Sequence, residues 1–344
     1  MPRRGETGFD KLYKIRPLLD QINQRCQNNA RNTRSQSIDE SMVKFKGRST
    51  LKQYMPLKPV KRGYKIWARA DSKTGYLFHF QVCTGKGDNV ETGLGSSVVK
   101  TLAQPLIDEG CSAHISFDNF FSSYDLLQYL YDHGIYSTAT ARNDRLGMPV
   151  LVKKPTGLRN CGEIMKRQNK KLKQLQKGQY KWRVRNNVGF SIWKDTKLVT
   201  IMSTAFHPKE EATCQRTQKD GSKRPFPCPR SVVEYSKRMG GVDKFDQQKA
   251  TYDVARRSKK WWKRLFFFLF DVAITNAHIL YSKNSRVHNP MSQKMFRLTL
   301  ARELVNNLTF RKRKFSTAPK FLAKKRKASA EVPTHSTEET FWCT

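Results

Sequence analysis

AHISFDNFFSSYDLLQYLYDHGIYSTATA, residues 113–141, decides the fold. Residues 113–118 form a short apolar run that stops at Asp118, where Asn119 begins a turn. Tyr124, Leu126, Leu127, Leu130 and Tyr131 then recur at the period of a helix, with Ser122 or Ser123 as N-cap and Gly134 as its end. Residues 135–141 return to a strand pattern, so the unit reads strand, helix, strand.

Upstream, strands dominate. Residues 36–46 carry an alternating set (Ile38, Met42 to Phe45), 64–70 read YKIWARA, and 76–83 read YLFHFQVC, with DSKTG as a hairpin connection between the last two. A helix capped at Ser96 or Ser97 runs through Leu106 and Ile107 to Gly110. The order is strand, strand, strand, helix, strand, helix, strand: an α/β class with a mixed sheet that needs helices on its faces. Residues 9–23 form a short helical piece broken at Pro17, and 24–36 read as a linker.

Downstream of Arg142 the order lapses. Residues 143–179 are basic and poor in apolar side chains, 188–193 and 198–206 read as a hairpin around DTK, and 207–230 are polar with Pro225, Pro227 and Pro229. This region is expected to be an inserted subdomain. Two helical stretches follow: 231–254, interrupted at Gly240 and Gly241, and 260–281, apolar on nearly every face past Trp262 and so expected in a core.

The chain has 344 residues, 66 Lys and Arg against 28 Asp and Glu, and a formal net charge of +38. Self-repulsion on this scale calls for a polyanion, with nucleic acid the natural partner. The excess concentrates in two tracts: 153–185 holds twelve basic residues and one acid, and 311–327 holds nine basics and none. RKRK at 311–314 and KKRK at 324–327 suit nuclear import. The longest apolar run, 265–270, is far shorter than the roughly 20 residues of a membrane span, and no membrane partner is expected. Seven scattered cysteines without CxxC spacing suggest a reduced, intracellular protein. There is no HExxH and no tetrahedral cysteine set, so no zinc is expected.

In a chain so poor in acids, those at strand ends among apolar residues are informative. Asp39 lies on the first strand, Asp118 where the fourth stops, and Asp243 opens a helix after two glycines. Asp commonly caps helices and begins turns, so each alone has a plain structural explanation. Phosphoryl transfer on DNA needs two divalent cations roughly 3.5–4 Å apart, and hard cations take carboxylate oxygens. Three aspartates can build that clamp.

The strand order is also that of an RNase H-like core, and the motifs carry a closer likeness. IDE (38–40) with FKGR (45–48), YMPLKPVKRGYK (54–65), ISFDNFFSS (115–123), MGGVDKFDQ (239–247) and RRSKKWW followed by NAHILY resemble those of piggyBac-type DDE/D transposases and the host genes derived from them. The resemblance covers about residues 9–306. It implies an RNase H-like catalytic core interrupted by an insertion domain and flanked by helical segments. It further implies that Asp39, Asp118 and Asp243 hold two Mg²⁺ ions, with Mn²⁺ as substitute. Asp246, three residues on, either assists the metal or satisfies a neighbouring Lys or Arg.

The resemblance makes the expected partner double-stranded DNA, specifically transposon terminal inverted repeats, bound by a homodimer in the nucleus. The expected DNA contacts are Arg48; Lys170, Lys171 and Lys173 in the insertion; and Arg256, Arg257, Lys259 and Lys260, with Trp261 stacking on a base. The domain reading is 1–33, remnant of a helical dimerisation and DNA-binding domain; 34–142, first part of the core; 143–229, insertion; 230–283, second, helical part of the core; 284–306, helical return; and 307–344, basic tail. Against the family pattern the chain is expected to be shortened at both ends, lacking upstream helical sequence and a C-terminal cysteine-rich zinc-binding module. Two functions follow: a metal-dependent DNA-cleaving and strand-transferring transposase core, or a domesticated or truncated relative that binds DNA without chemistry.

Overall fold

A computed structural model describes residues 6, 9–56, 58–85, 93–142, 172, 174–218, 220–254 and 256–306. Residues 1–297 form one compact unit; of the remaining 298–344, residues 298–306 are described, and 298–304 are the last part of a helix.

The elements in chain order are α1 (Arg16–Asn28), β1 (Ser35–Lys44), β2 (Gln53–Tyr54), β3 (Arg62–Asp71), β4 (Leu77–Val82), α2 (Leu94–Asp108), β5 (His114–Phe117), α3 (Tyr124–Asp132) and β6 (Tyr136–Thr140). There follow β7 (Tyr180–Arg185), β8 (Val188–Lys194), β9 (Leu198–Ser203), β10 (Glu211–Thr217), β11 (Lys223–Pro229), α4 (Arg230–Arg238), α5 (Gly241–Thr251), α6 (Trp261–Lys283) and α7 (Gln293–Leu304). Nine strands make one mixed sheet in the order β2-β3-β1-β5-β6-β9-β8-β7, with β4 also paired to β3. β1 lies antiparallel to β3 and parallel to β5, and β5 is parallel to β6. This is the mixed sheet expected from the sequence.

Each face of the sheet carries helices. α2 and α3 cover one, packing Val99, Leu102, Leu106, Leu127 and Leu130 on Ile38, Trp67, Ile115 and Phe117. α1, α5 and α6 cover the other, packing Leu19, Phe245, Leu265, Phe268 and Leu269 on Val43, Ile66, Ala68 and Phe80. On β3 the alternation is plain, with Trp67 toward the first cluster and Ile66, Ala68 and Ala70 toward the second. β1 and β3 are buried along nearly their whole length, as central strands covered on both faces must be. The open edge of β4 is closed by two asparagines. Asn23 of α1 donates to Phe80 O and accepts from Phe80 N–H, both at 3.0 Å, and Asn276 of α6 does the same for Leu77 at 2.8 and 3.0 Å. Side-chain amides thus stand where another strand could pair.

Several elements depart from the sequence reading. Pro17 does not break a helix; it sits in the first turn of α1, where its missing N–H goes unused, and the helix continues through residues read as linker. Ser123 caps α3 as expected, its Oγ accepting from Leu126 N–H at 3.2 Å. α2, however, starts at Leu94 after Gly93 at φ 125°, without a serine cap. The 188–206 hairpin, read as part of the insertion, is continuous with the core sheet: β9 pairs with β6, and β8 and β7 extend beyond it. The reason is composition, since Val188, Phe190, Ile192, Ile201 and Met202 are as buried as the core strands. β10 and β11 pair antiparallel despite three prolines, which a two-stranded ribbon tolerates because each strand leaves one edge unpaired.

α6, with 23 residues, is long and apolar enough by length and composition to cross a membrane, which the short apolar run 265–270 concealed. Here it serves as a core helix. Asp271, buried on it, pairs with Arg297 at 3.4 Å, and Asn276 binds β4. Phe266 and Phe270 stay exposed and stack on each other, so the helix is not buried all round.

Two buried histidines each favour unfolding as pH falls. Burial pushes His114 on β5 and His79 on β4 down to about 4, and His114 Nε2 lies 2.9 Å from Thr138 Oγ1 of β6. Both imidazoles are neutral in the fold, whereas the unfolded chain binds protons below about 6.5. Their contribution is therefore complete above 6.5 and is lost as pH falls to about 4, on the order of 3 kcal/mol each. Urea denaturation of the parent and of His114→Gln at pH 7 and pH 4 is expected to show the parent losing more stability than the variant between the two pH values, by about 3 kcal/mol; an equal change in the two proteins would refute the assignment.

Candidate active site

The sheet register assembles the acids. Ile38 of β1 is level with Phe117 of β5 in the parallel pair, which brings the next residues, Asp39 and Asp118, side by side where β5 ends. Asp118 turns its Oδ1 back to accept from Phe120 N–H at 2.8 Å, an Asx turn that fixes the carboxyl at the strand end. Gly95 of α2 lies against this turn, where an added Cβ would come 2.4 Å from Phe120 O.

The third acid arrives on α5. Ser37, Asp39 and Ser41 alternate along β1, and the two serines hold the helix. Ser37 Oγ accepts from Gly241 N–H at 3.0 Å, and Ser41 Oγ donates to Asp246 Oδ1 at 2.6 Å. The glycine at 241 is obligatory: a Cβ there would meet Ser37 Oγ at 2.5 Å and Asp71 O at 2.7 Å. Lys244 Nζ adds a hydrogen bond to Ser72 O at 2.7 Å. Asp243, in the first turn of α5, is exposed at the helix end where the macrodipole favours negative charge. Of the two roles open to Asp246, the structure shows the ion-pair one, with Lys249 Nζ 2.6 Å from the oxygen that Ser41 also binds.

Two lysines and a glutamate complete the centre, and only their motifs, not their roles, were visible in the sequence. Glu40 is buried and paired with buried Lys65 at 2.8 Å; Lys65 also lies 4.4 Å from the centroid of the Phe120 ring. Lys58, between β2 and β3, reaches over β1 to Asp39 Oδ2 at 3.7 Å and Glu40 Oε2 at 3.6 Å. Burial pushes the Asp39 carboxyl up to about 7; the Lys58 charge opposes this, while Glu40 and Asp118 add to it. Burial likewise raises Asp118. For Glu40, burial acts upward, but Lys65 and Lys58 outweigh it and hold the acid below its ordinary value.

Among the described residues, no group of three or more His, Cys, Asp or Glu side chains is gathered closely enough to hold a metal ion. The donor chemistry still fits a hard divalent cation: Asp39, Asp118 and Asp243 offer only carboxylate oxygens, and the partly exposed Lys58 ammonium already stands in their field.

The remaining candidates are scattered. Arg48, Arg256, Arg257, Lys259 and Lys260 are exposed, the last four leading into α6. Trp261 and Trp262 both rest half-buried against the core cluster under α6. Arg264, one turn on, donates to Lys44 O at 2.9 Å and so ties this basic approach to the end of β1. Lys170, Lys171 and Lys173, like the tail motifs at 311–314 and 324–327, lie outside the described residues.

Residues 2–278 match the family described as Transposase IS4. The chain belongs to this family, in its piggyBac branch. The human PiggyBac transposable element-derived protein 3 is 31% identical over 280 residues, 79% of this chain and 44% of that protein. PiggyBac transposable element-derived protein 2, also human, is 30% identical over the same shares. This member of the family therefore spans about half the length of the curated relatives it matches. The fold matches that in a cryo-EM structure of a piggyBac transposase synaptic complex with hairpin DNA, with a TM-score of 0.71 and 24% identity over 89% of this chain and 60% of that one.

Proposed function

We propose that this chain is the catalytic core of a piggyBac-type transposase that cleaves DNA at terminal inverted repeats and transfers the freed strand, acting as a nuclear homodimer. The observation that carries this reading is the register that sets Asp39 beside Asp118, with α5 docked on the same strand to bring Asp243. The net charge of +38 and the likeness to a transposase solved on DNA support it.

Asp39, Asp118 and Asp243 would hold the divalent ions, Mg²⁺ or Mn²⁺. When bound, these supply Lewis-acid activation of the attacking oxygen and stabilisation of the leaving one. The chain's own part is placement. Ser37 and Ser41 fix α5 on β1, the Asx turn fixes Asp118, and Lys65 holds Glu40 out of the ligand set. The exposed Arg256, Arg257, Lys259 and Lys260 would receive phosphates, supplying affinity with little sequence choice.

A second reading, DNA binding without chemistry, is favoured by one observation: the acids stand around Lys58 and not in a single tight shell. The two separate on metal. Incubation with terminal-repeat DNA in Mg²⁺ or Mn²⁺ is expected to release 3′-hydroxyl ends, and excess EDTA to stop cleavage while salt-sensitive binding persists. Binding without cleavage under every metal condition would establish the second reading.

A further inference from the structure

The two lysines of the centre differ in kind. Lys65 is a conventional buried partner, with one short bond to Glu40 at 2.8 Å and side-chain exposure of 7%. Among the described residues, the Lys58 ammonium makes no short bond. Its ammonium hangs 3.7 Å from Asp39 Oδ2, 3.6 Å from Glu40 Oε2 and 3.4 Å from Glu40 O, and its side chain is 30% exposed. An ammonium roughly equidistant from several oxygens occupies the kind of position a cation takes, and partial exposure leaves it a way out.

Its backbone setting agrees. Lys58 sits between Pro56 and Pro59 in a turn closed by Met55 N–H to Lys61 O at 2.8 Å, next to the two-residue strand β2. The turn holds the side chain over β1, and Lys58 stays partly exposed there. Burial would lower the ammonium's proton affinity, but Asp39, Glu40, Asp243 and Asp118 together hold it above its ordinary value. These four acids are the ones whose mutual repulsion a divalent ion would relieve.

We propose that Lys58 is a built-in place-holder, its ammonium neutralising the acid cluster in the metal-free chain and being displaced from Asp39 when a divalent cation binds, while Lys65 stays. This rests on the metal-binding reading above. Lys58 is thus a positioning residue that keeps Asp39 and Asp118 together and competes with the metal.

The test measures metal affinity and stability on the full chain. Mn²⁺ binding is read by the loss of the free-ion EPR signal, and thermal midpoints are taken in EDTA, for the parent, Lys58→Met, Lys58→Gln, Lys65→Met and Asp39→Asn. Either Lys58 variant is expected to melt lower than the parent in EDTA yet bind Mn²⁺ on the order of tenfold more tightly. Lys65→Met should melt lower without tighter binding, and Asp39→Asn should lose Mn²⁺. Both Lys58 variants are made so that a folding failure in one leaves the other. Asp39-dependent Mn²⁺ binding that is unchanged or weakened in them would overturn the place-holder and leave the metal reading standing. No Mn²⁺ binding in any of the proteins would overturn both.

Discussion

Asp39→Asn is expected to abolish metal-dependent cleavage of terminal-repeat DNA, by a thousandfold or more, equivalent to about 4 kcal/mol of transition-state stabilisation. The amide keeps the shape of the side chain and its backbone contact to Glu40 N–H at 2.7 Å, so the sheet survives. What it removes is the anionic oxygen facing Lys58 and Asp118. Asp118→Asn should act alike, since its Asx turn tolerates an amide. DNA affinity, resting on exposed Lys and Arg, should hardly change in either. Single-turnover cleavage beside a binding isotherm checks the split. Cleavage within tenfold of the parent would exclude Asp39 from the chemistry.

The second large effect lies in the double glycine. Gly241→Ala forces a methyl against Ser37 Oγ and Asp71 O at distances no packed atoms adopt, and both neighbours belong to β1 or β3 or to their contacts with α5. α5 must lift, loosening Val242 and Phe245 from the core and carrying Asp243 away from β1. A destabilisation of about 2–4 kcal/mol is expected, together with lost cleavage. Gly240→Ala is the control, because a Cβ there meets nothing within 4 Å. Equal denaturation midpoints for the two variants would show that close docking of α5 is not required.

The parts of this architecture legible in the sequence are those set by local periodicity. The strand within 36–46, the 3.6-residue stripe of 124–131 and the cap at Ser123 each follow from nearest neighbours along the chain, and the structure has them, although the strand is buried on both faces and not alternately. Asp39, Asp118 and Asp243 stood out because acids are scarce and each sat at an element's end or on a central strand. What local pattern cannot carry is pairing across distance. Lys58 meets Asp39 only because β1 and β3 are antiparallel, which folds the turn before β3 back over Glu40. Pro17 shows another limit, since the same residue begins one helix and breaks another according to a position that only packing decides. The β10–β11 ribbon was hidden by its prolines, and the sheet extension through β9 by the basic stretch that precedes it.

The hydrogen bond from Gly241 to Ser37 joins residues 204 positions apart. A ribosome adding about 5–20 residues per second needs roughly 10–40 s to cover that interval. Through it, β1 and β5 can pair and set two acids side by side, while one face of the sheet still waits for α5 and α6. The third acid is thus delivered late, by the same helix that closes the core. The unfinished chain holds an incomplete centre for as long as its own folding is incomplete, so any reactivity that needs all three acids is withheld in time until the fold is sealed.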